Sequence, residues 1–270
     1  MTENPTLHNP EEMSDVENSP FLPLLPLKNV VILPKSIIPI IVGRESSIQA
    51  VEYALRHNKN LFISAQKDPK VEVPTASDVF EYGARSAILQ VMRMPNGALK
   101  ILAEGLCRAR MVTSSDLEGF IAVTYEDIVT EAVEDNVELE ATWRQLKSLY
   151  AHYSKLNEKV PTELFNSVRG TSDMDYVTDT IAVHITLSFH ERQKILETSS
   201  LIDRMFMVCN YLRKEIEILE TEQRIRGRVQ TQVEKGQREY YLTEQMKAIQ
   251  KELGREDQSE EIATLRGEGE

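Results

Sequence analysis

Between Leu22 and Val42 the chain reads LPLLPLKNVVILPKSIIPIIV, apolar enough for a lipid span but punctuated by Pro23, Pro26, Pro34, Pro39, Lys28 and Lys35. A spanning helix needs about 20 apolar residues in succession, and each proline would remove a helical backbone donor and clash with the turn before it. The residues ahead of the run are acidic, the reverse of the basic start of a secretion signal. The pattern therefore predicts short buried strands, Leu24 to Leu27, Val30 to Leu33 and Ile37 to Val42, with prolines at their starts and edges. Past Arg44 the period lengthens: Ile48, Val51 and Leu55 fall on one face of a helix over 44–58, with Ser46 or Ser47 as its cap. Leu61 to Ala65 reads as a strand. The runs ARSAILQVMRM and ALKILAEG flank Pro95-Asn96-Gly97, a hairpin signal because Asn and Gly tolerate positive φ. Further strands are expected at Leu106 to Val112 and Phe120 to Tyr125.

Beyond Asp127 the period becomes helical. Trp143, Leu146, Tyr150, Tyr153 and Val160 line one face, stopped by Pro161. Thr162 can cap a short helix ending at Gly170, Asp173 can open another with Val177, Ile181 and Ile185 inward, and a last short helix is expected over Glu191 to Thr198. From Leu201 to Leu253 there is no proline, and one helix is expected, roughly 75 Å long at 1.5 Å per residue. Met205, Cys209, Leu212, Ile216 and Leu219 alternate spacings of four and three, the signature of a packed seam. After Ile225, Val229 and Val233 the helix reads as largely polar, and Gly227 and Gly236 cost it roughly 1 kcal/mol each relative to Ala. Such a segment is expected to project and to be steadied by charge pairs or another chain.

Charge sharpens the boundaries. The net charge of −12 is concentrated in two stretches: residues 1–20 hold five acids and no base, and Glu126 to Glu140 hold seven acids and no base. The first reads as a disordered acidic leader, the second as a solvated linker. An acidic chain disfavours nucleic acid, which requires clustered Lys and Arg. Cys107 and Cys209 stand far apart, outside any metal-ligand spacing, as expected of thiols in a reducing compartment. There is no G-x-x-x-x-G-K-[S/T] loop and no G-x-S-x-G elbow, and HERQK at His190 lacks the second histidine of a zinc helix. No catalytic, cofactor-binding or metal-binding residue is expected in this chain. Two features favour contact instead. Met92 and Met94 precede the hairpin turn, where methionine suits a contact face as well as a core. Tyr240 and Tyr241, with Met246 and Ile249, put aromatic and apolar side chains on the long helix.

Three segments resemble a known family: PLLPLKNVVILPKSIIPIIVGRESSIQA, ILQVMRMPNGALKILAEGLCRARM and KGQREYYLTEQMKAIQKELGRED are similar to the amino-terminal region of the ATP-dependent Lon proteases. The resemblance covers roughly residues 21–254. It implies an α+β architecture: a PUA-like β domain over 21–127, a helical bundle over 128–200, a long helix or coiled-coil arm over 201–254, and a flexible connection over 255–270 toward an ATPase domain that this chain does not contain. It also implies a role in recognising unfolded or degron-bearing protein substrates and in organising a cytoplasmic homohexamer whose other domains use ATP and Mg. Met92, Met94, Tyr240, Tyr241, Met246 and Ile249 are the candidate contacts to substrate or to other subunits. A stand-alone binding module without a protease is the alternative that the β domain alone would permit.

Overall fold

A computed structural model describes residues 21–117, 119–130, 137–157 and 159–267. The acidic leader over 1–20, residues 131–136 of the acidic stretch and residues 268–270 lie outside the described residues. Two compact units are present, the first through Ile216 and the second from Glu217 onward.

The first unit opens with a sheet closed on itself. Its strands are β1 (Phe21–Leu27), β2 (Ile37–Val42), β3 (Asn60–Ala65), β4 (Tyr82–Arg93), β5 (Leu99–Leu117) and β6 (Phe120–Asp127), with helix α1 (Glu45–Arg56) between β2 and β3. They hydrogen-bond in the order β2-β5-β4-β3-β1-β6, and β6 also pairs with β5. All pairings are antiparallel except β1 with β3, which α1 joins as a crossover. Leu25, Leu27, Val42, Leu61, Ile63 and Ile101 fill the interior, and Val51 and Ala54 of α1 pack into the same cluster. Pro23 of β1 sits where its neighbour changes: β6 pairs with Phe21–Pro23, and β3 takes over from Leu24. A residue without an N–H donor is tolerated where a ladder ends.

Several elements differ from the expected ones. Val30 to Leu33 is not a strand. It lies in the loop between β1 and β2, bounded by left-handed residues Asn29 (φ 55°) and Lys35 (φ 68°), which take the chain out of any ladder. Val31, Ile32 and Leu33 are nonetheless buried, because the loop is pressed onto β5 by bonds from Lys35 N to Gly105 O (2.8 Å) and from Gly105 N to Ser36 O (2.9 Å). A Cβ at Gly105 would stand 2.4 Å from the Leu33 carbonyl oxygen, so this close approach requires glycine. The strands expected on either side of Gly105 are one strand, β5, with a register shift at Leu106. Helix α1 starts after Arg44 without a side-chain cap, and Ser47 is buried in its first turn.

The helical part comprises α2 (Val137–Leu156), α3 (Thr162–Gly170), α4 (Met174–His184), α5 (Phe189–Glu197) and the start of α6 (Leu201–Gly267). Trp143, Leu146, Tyr150 and Tyr153 form the buried face of α2. Val160 falls outside α2, because Asn157 ends the helix: its Nδ2 donates to the Tyr153 hydroxyl and its Oδ1 accepts from Lys159 N. Asp173 caps α4 through Tyr176 N (3.0 Å). α5 begins earlier than expected, at Phe189, because Ser188 and Glu191 form a capping box.

Buried charges fasten the helices to the sheet. Arg108 of β5 grips Asp179 of α4 with two bonds of 2.6 Å, the two side chains being 4% and 3% exposed. Fully buried Arg204 of α6 donates to the carbonyls of Thr198 and Ser199, both at 3.0 Å, to Thr130 Oγ1 and to Asp175. Gln193 of α5 adds a bond to the Tyr82 carbonyl.

Met205, Cys209, Leu212 and Ile216 are buried as the heptad spacing requires. The second unit is the remainder of α6, where every described side chain from Glu222 to Gly254 is exposed. Among the described residues no helix is long and apolar enough to cross a membrane.

Candidate protein-binding surface

The hairpin that joins β4 to β5 positions the first candidates. Gly97 takes φ 84°, Asn96 Oδ1 accepts from Ala98 N, and Met94 N donates to Ala98 O at 2.8 Å. Residues directly opposite in a sheet share a face. The register places Ile41, Lys100 and Met92 in one row across β2, β5 and β4, with Pro39, Leu102 and Gln90 in another. Ile41 is 66% exposed, Met92 65% and Ile37 53%. With strands about 4.8 Å apart, Ile41 and Met92 stand roughly 10 Å from one another across the row. This outer face is apolar and interrupted by the polar ends of Lys100, Gln90 and Glu104, a surface suited to apolar side chains of another polypeptide.

Met94 is half-buried at the hairpin base and contributes less to this face than Met92. Leu89 and Val91 of β4, which the sequence did not single out, are also exposed, but Val91 pairs in the row of Ile101 and Ile40 and so faces away from Met92. Leu89 is the extra residue of a register shift between Ile88 and Gln90, and such a shift turns side chains outward that strict alternation assigns inward. Ile37 and Ile41 were concealed for another reason: a continuous apolar run gives no sign of which alternate residues face out.

Tyr240, Tyr241, Met246 and Ile249 all lie on α6 in the second unit and are exposed, Tyr240 the most so at 70%, with Met246 and Ile249 on one face and Tyr240 on nearly the opposite one. The largely polar reading of this half is corrected by Leu242, Met246, Ile249 and Leu253. These exposed apolar residues alternate spacings of four and three, and the signal was present in QREYYLTEQMKAIQKEL.

The reactive side chains have structural surroundings. Burial, and then its bond to Asp127 at 3.2 Å, pushes the Cys107 thiol up to about 11, and burial pushes Cys209 up to about 11. Both are protonated at neutral pH and are poor nucleophiles. Among the described residues no group of three His, Cys, Asp or Glu side chains is placed to hold a metal ion.

The closed sheet followed by packed helices and the apolar outer face define a binding domain of a known class. A family model described as the ATP-dependent protease La (LON) substrate-binding domain matches residues 21–214, and the chain belongs to that family. Its relatives are the Lon proteases themselves. It is 40% identical over 249 residues to the Lon protease of Escherichia coli K12, 41% over 245 residues to that of Vibrio parahaemolyticus and 38% over 254 residues to that of Buchnera aphidicola. These alignments take in 92%, 90% and 93% of this chain but 31%, 31% and 32% of the relatives, so the chain spans less than a third of their length. Among solved structures, the N-terminal domain of the Mycobacterium avium complex Lon protease superposes with a TM-score of 0.59 at 19% identity, over 72% of this chain and 98% of that one. That likeness concerns the fold. The chain thus corresponds to the amino-terminal, substrate-binding region of the Lon proteases.

Proposed function

We propose that this chain captures exposed apolar segments of unfolded or degron-bearing proteins for an ATP-dependent serine protease of Lon type that degrades misfolded and short-lived regulatory proteins in the cytoplasm. The observation that carries the reading is the apolar outer face of β2, β5 and β4, with Ile41 and Met92 exposed in one row and Ile37 exposed just beyond the row of Pro39. Each site of this kind binds weakly. Several copies in a homohexamer raise the effective concentration of a tethered client without a tight single contact. The ATP and Mg of the reaction belong to other domains, for no residue here forms a G-x-x-x-x-G-K-[S/T] loop that cradles phosphates. The exposed apolar and aromatic residues of α6, Tyr240, Tyr241, Met246 and Ile249 among them, supply contacts to other subunits or to client at the entry of the motor.

Photocrosslinking of a permanently unfolded protein, with the joined residues mapped, tests the client-binding role. Crosslinks are expected at Ile37, Ile41, Leu89 and Met92. Crosslinks confined to residues 1–20, or scattered evenly over the surface, would refute a defined recognition face.

A further inference from the structure

The sheet has an opening beside its outer face, sharing Pro39 and Ile41 with it. β5 carries two neighbours along one side, β2 over Leu99–Glu104 and β6 over Ala109–Leu117. β6 pairs with β1 only over Phe21–Pro23, so the ring is laddered at that end alone. Past that point β1 pairs with β3 on one side, β2 pairs with β5 on one side, and among the described residues no strand pairs with the other edge of either. A cavity of about 310 Å³ lies along this seam. Residues 25–27 of β1 and 38–42 of β2 line it in unbroken succession. Successive strand residues point to opposite faces, so an opening that meets every one of them runs along the strand edges.

An unpaired edge is a template for another strand. Pro26 and Pro39 each remove a donor from one of these strands, which prevents a long ladder and keeps any added strand short. The charged side chains that line the seam among the described residues are Lys28 and Arg44, both basic. Lys28 reaches out to exposed Glu72 at 3.0 Å. Arg44 donates from Nη2 to Gln66 Oε1 at 2.5 Å, while its Nη1 is buried and meets no acceptor among the described residues. Arg44 is part-buried and carries positive charge at the seam, and a carboxylate is the partner that best complements a guanidinium.

We propose that this seam takes a short extended segment of a client protein by strand addition, with apolar residues along the β1 and β2 edges and one Asp or Glu side chain at Arg44. The inference rests on the client-binding reading above and specifies what the bound segment must carry. Backbone bonds along the edges would provide the affinity, and Arg44 would select apolar segments that bear an acid over those that do not.

Fluorescence anisotropy on the 270-residue chain tests it with carboxamide-terminated peptides: an apolar β-forming segment with one Glu, its Gln twin, and a Glu twin with alternate backbone nitrogens methylated. A Gln twin with a free carboxyl terminus and an unfolded reduced and alkylated protein complete the set. The Glu peptide is expected to bind about tenfold tighter than its Gln twin, the gain typical of a hydrogen bond to a charged group. Backbone methylation should abolish that binding. Arg44→Gln should reduce the Glu peptide to the level of its twin. Arg44→Lys, which keeps the charge and loses the fork, should recover part of the preference if Arg44→Gln proves unstable. Equal binding of the Glu and Gln peptides, indifference to backbone methylation, or a preference that needs only the free carboxyl terminus would overturn the proposal. If the unfolded protein still binds under any of these outcomes, the client-binding reading stands without the seam. If neither peptides nor unfolded protein bind, that reading fails too.

Discussion

At the scale of single residues, the side chains that matter most to cohesion are charged ones the sequence did not announce. Arg108 alternates with neutral neighbours as an outward strand residue would, and Asp179 sits within the buried face of α4. Nothing in either local pattern joins two residues 71 positions apart. Arg204 is pressed further, since burial and then the nearby positive charge of Arg108 hold its proton affinity below the ordinary range. A buried pair of this kind loses about 3–5 kcal/mol when one partner is removed, because the other is left charged and unpaired, whereas replacing both by apolar groups is often neutral. Asp179→Ala should therefore lower the stability measured by urea unfolding by that amount, and Arg108→Met with Asp179→Leu should recover part of it. Arg204 keeps Asp175, Thr130 and two carbonyls in the double variant but loses the Asp179 carboxylate 3.7 Å from its Nε, so the recovery is incomplete. A single variant within about 1 kcal/mol of the parent, the range of an exposed pair, would show that the bridge does not fasten helix to sheet.

At the scale of elements, local chemistry was legible wherever it decides the structure by itself. Pro95-Asn96-Gly97 made the hairpin, Asp173 capped its helix, and the 3.6-residue period of Val51, Val177 and Ile181 put those residues inward. The misreadings arose where tertiary contact overrides the local pattern. Val31, Ile32 and Leu33 have strand-like composition, but they are buried as a loop folded onto β5, which no window of sequence contains. Gly105 looked like the end of a strand and is instead the point of closest approach within one. Gly105→Ala would push a methyl group into the Leu33 carbonyl and against Ile32 Cγ2, 2.8 Å away. Overpacking of this sort costs about 1–3 kcal/mol, and for a unit of this size each kcal/mol lowers the melting temperature by about 2–4 °C. The variant should melt lower by a few degrees or more in calorimetry. A melting temperature equal to the parent's would mean that the loop can lift from β5 without loss.

At the scale of the whole molecule, periodicity and charge yielded an architecture and no task; the task came from the segments that resemble Lon proteases. The reason is physical: a surface that accepts many unfolded segments is built from scattered exposed apolar residues, and these leave no spaced constellation of the kind a catalytic or metal site requires. Ile37 and Ile41 come from one stretch and Met92 from another, and they meet only because β5 lies between β2 and β4. The α6 stripe has the opposite character. Leu242, Met246, Ile249 and Leu253 are periodic within one segment and are exposed in this chain, so their spacing is a cost unless something covers it. Tyr241 lies about 100° around the helix from Leu242 and Tyr240 about 200°, so the two tyrosines stand off the stripe on other faces of the same segment. In a full-length protein that contains this chain, replacing both tyrosines with serine should lower the fraction of hexamer measured by analytical ultracentrifugation or slow the degradation of an unfolded protein at saturating ATP. Assembly and turnover both equal to the parent's would remove Tyr240 and Tyr241 from either role. A loss of assembly alone would assign them to subunit contact, and a loss of turnover with the hexamer intact would assign them to handling the client.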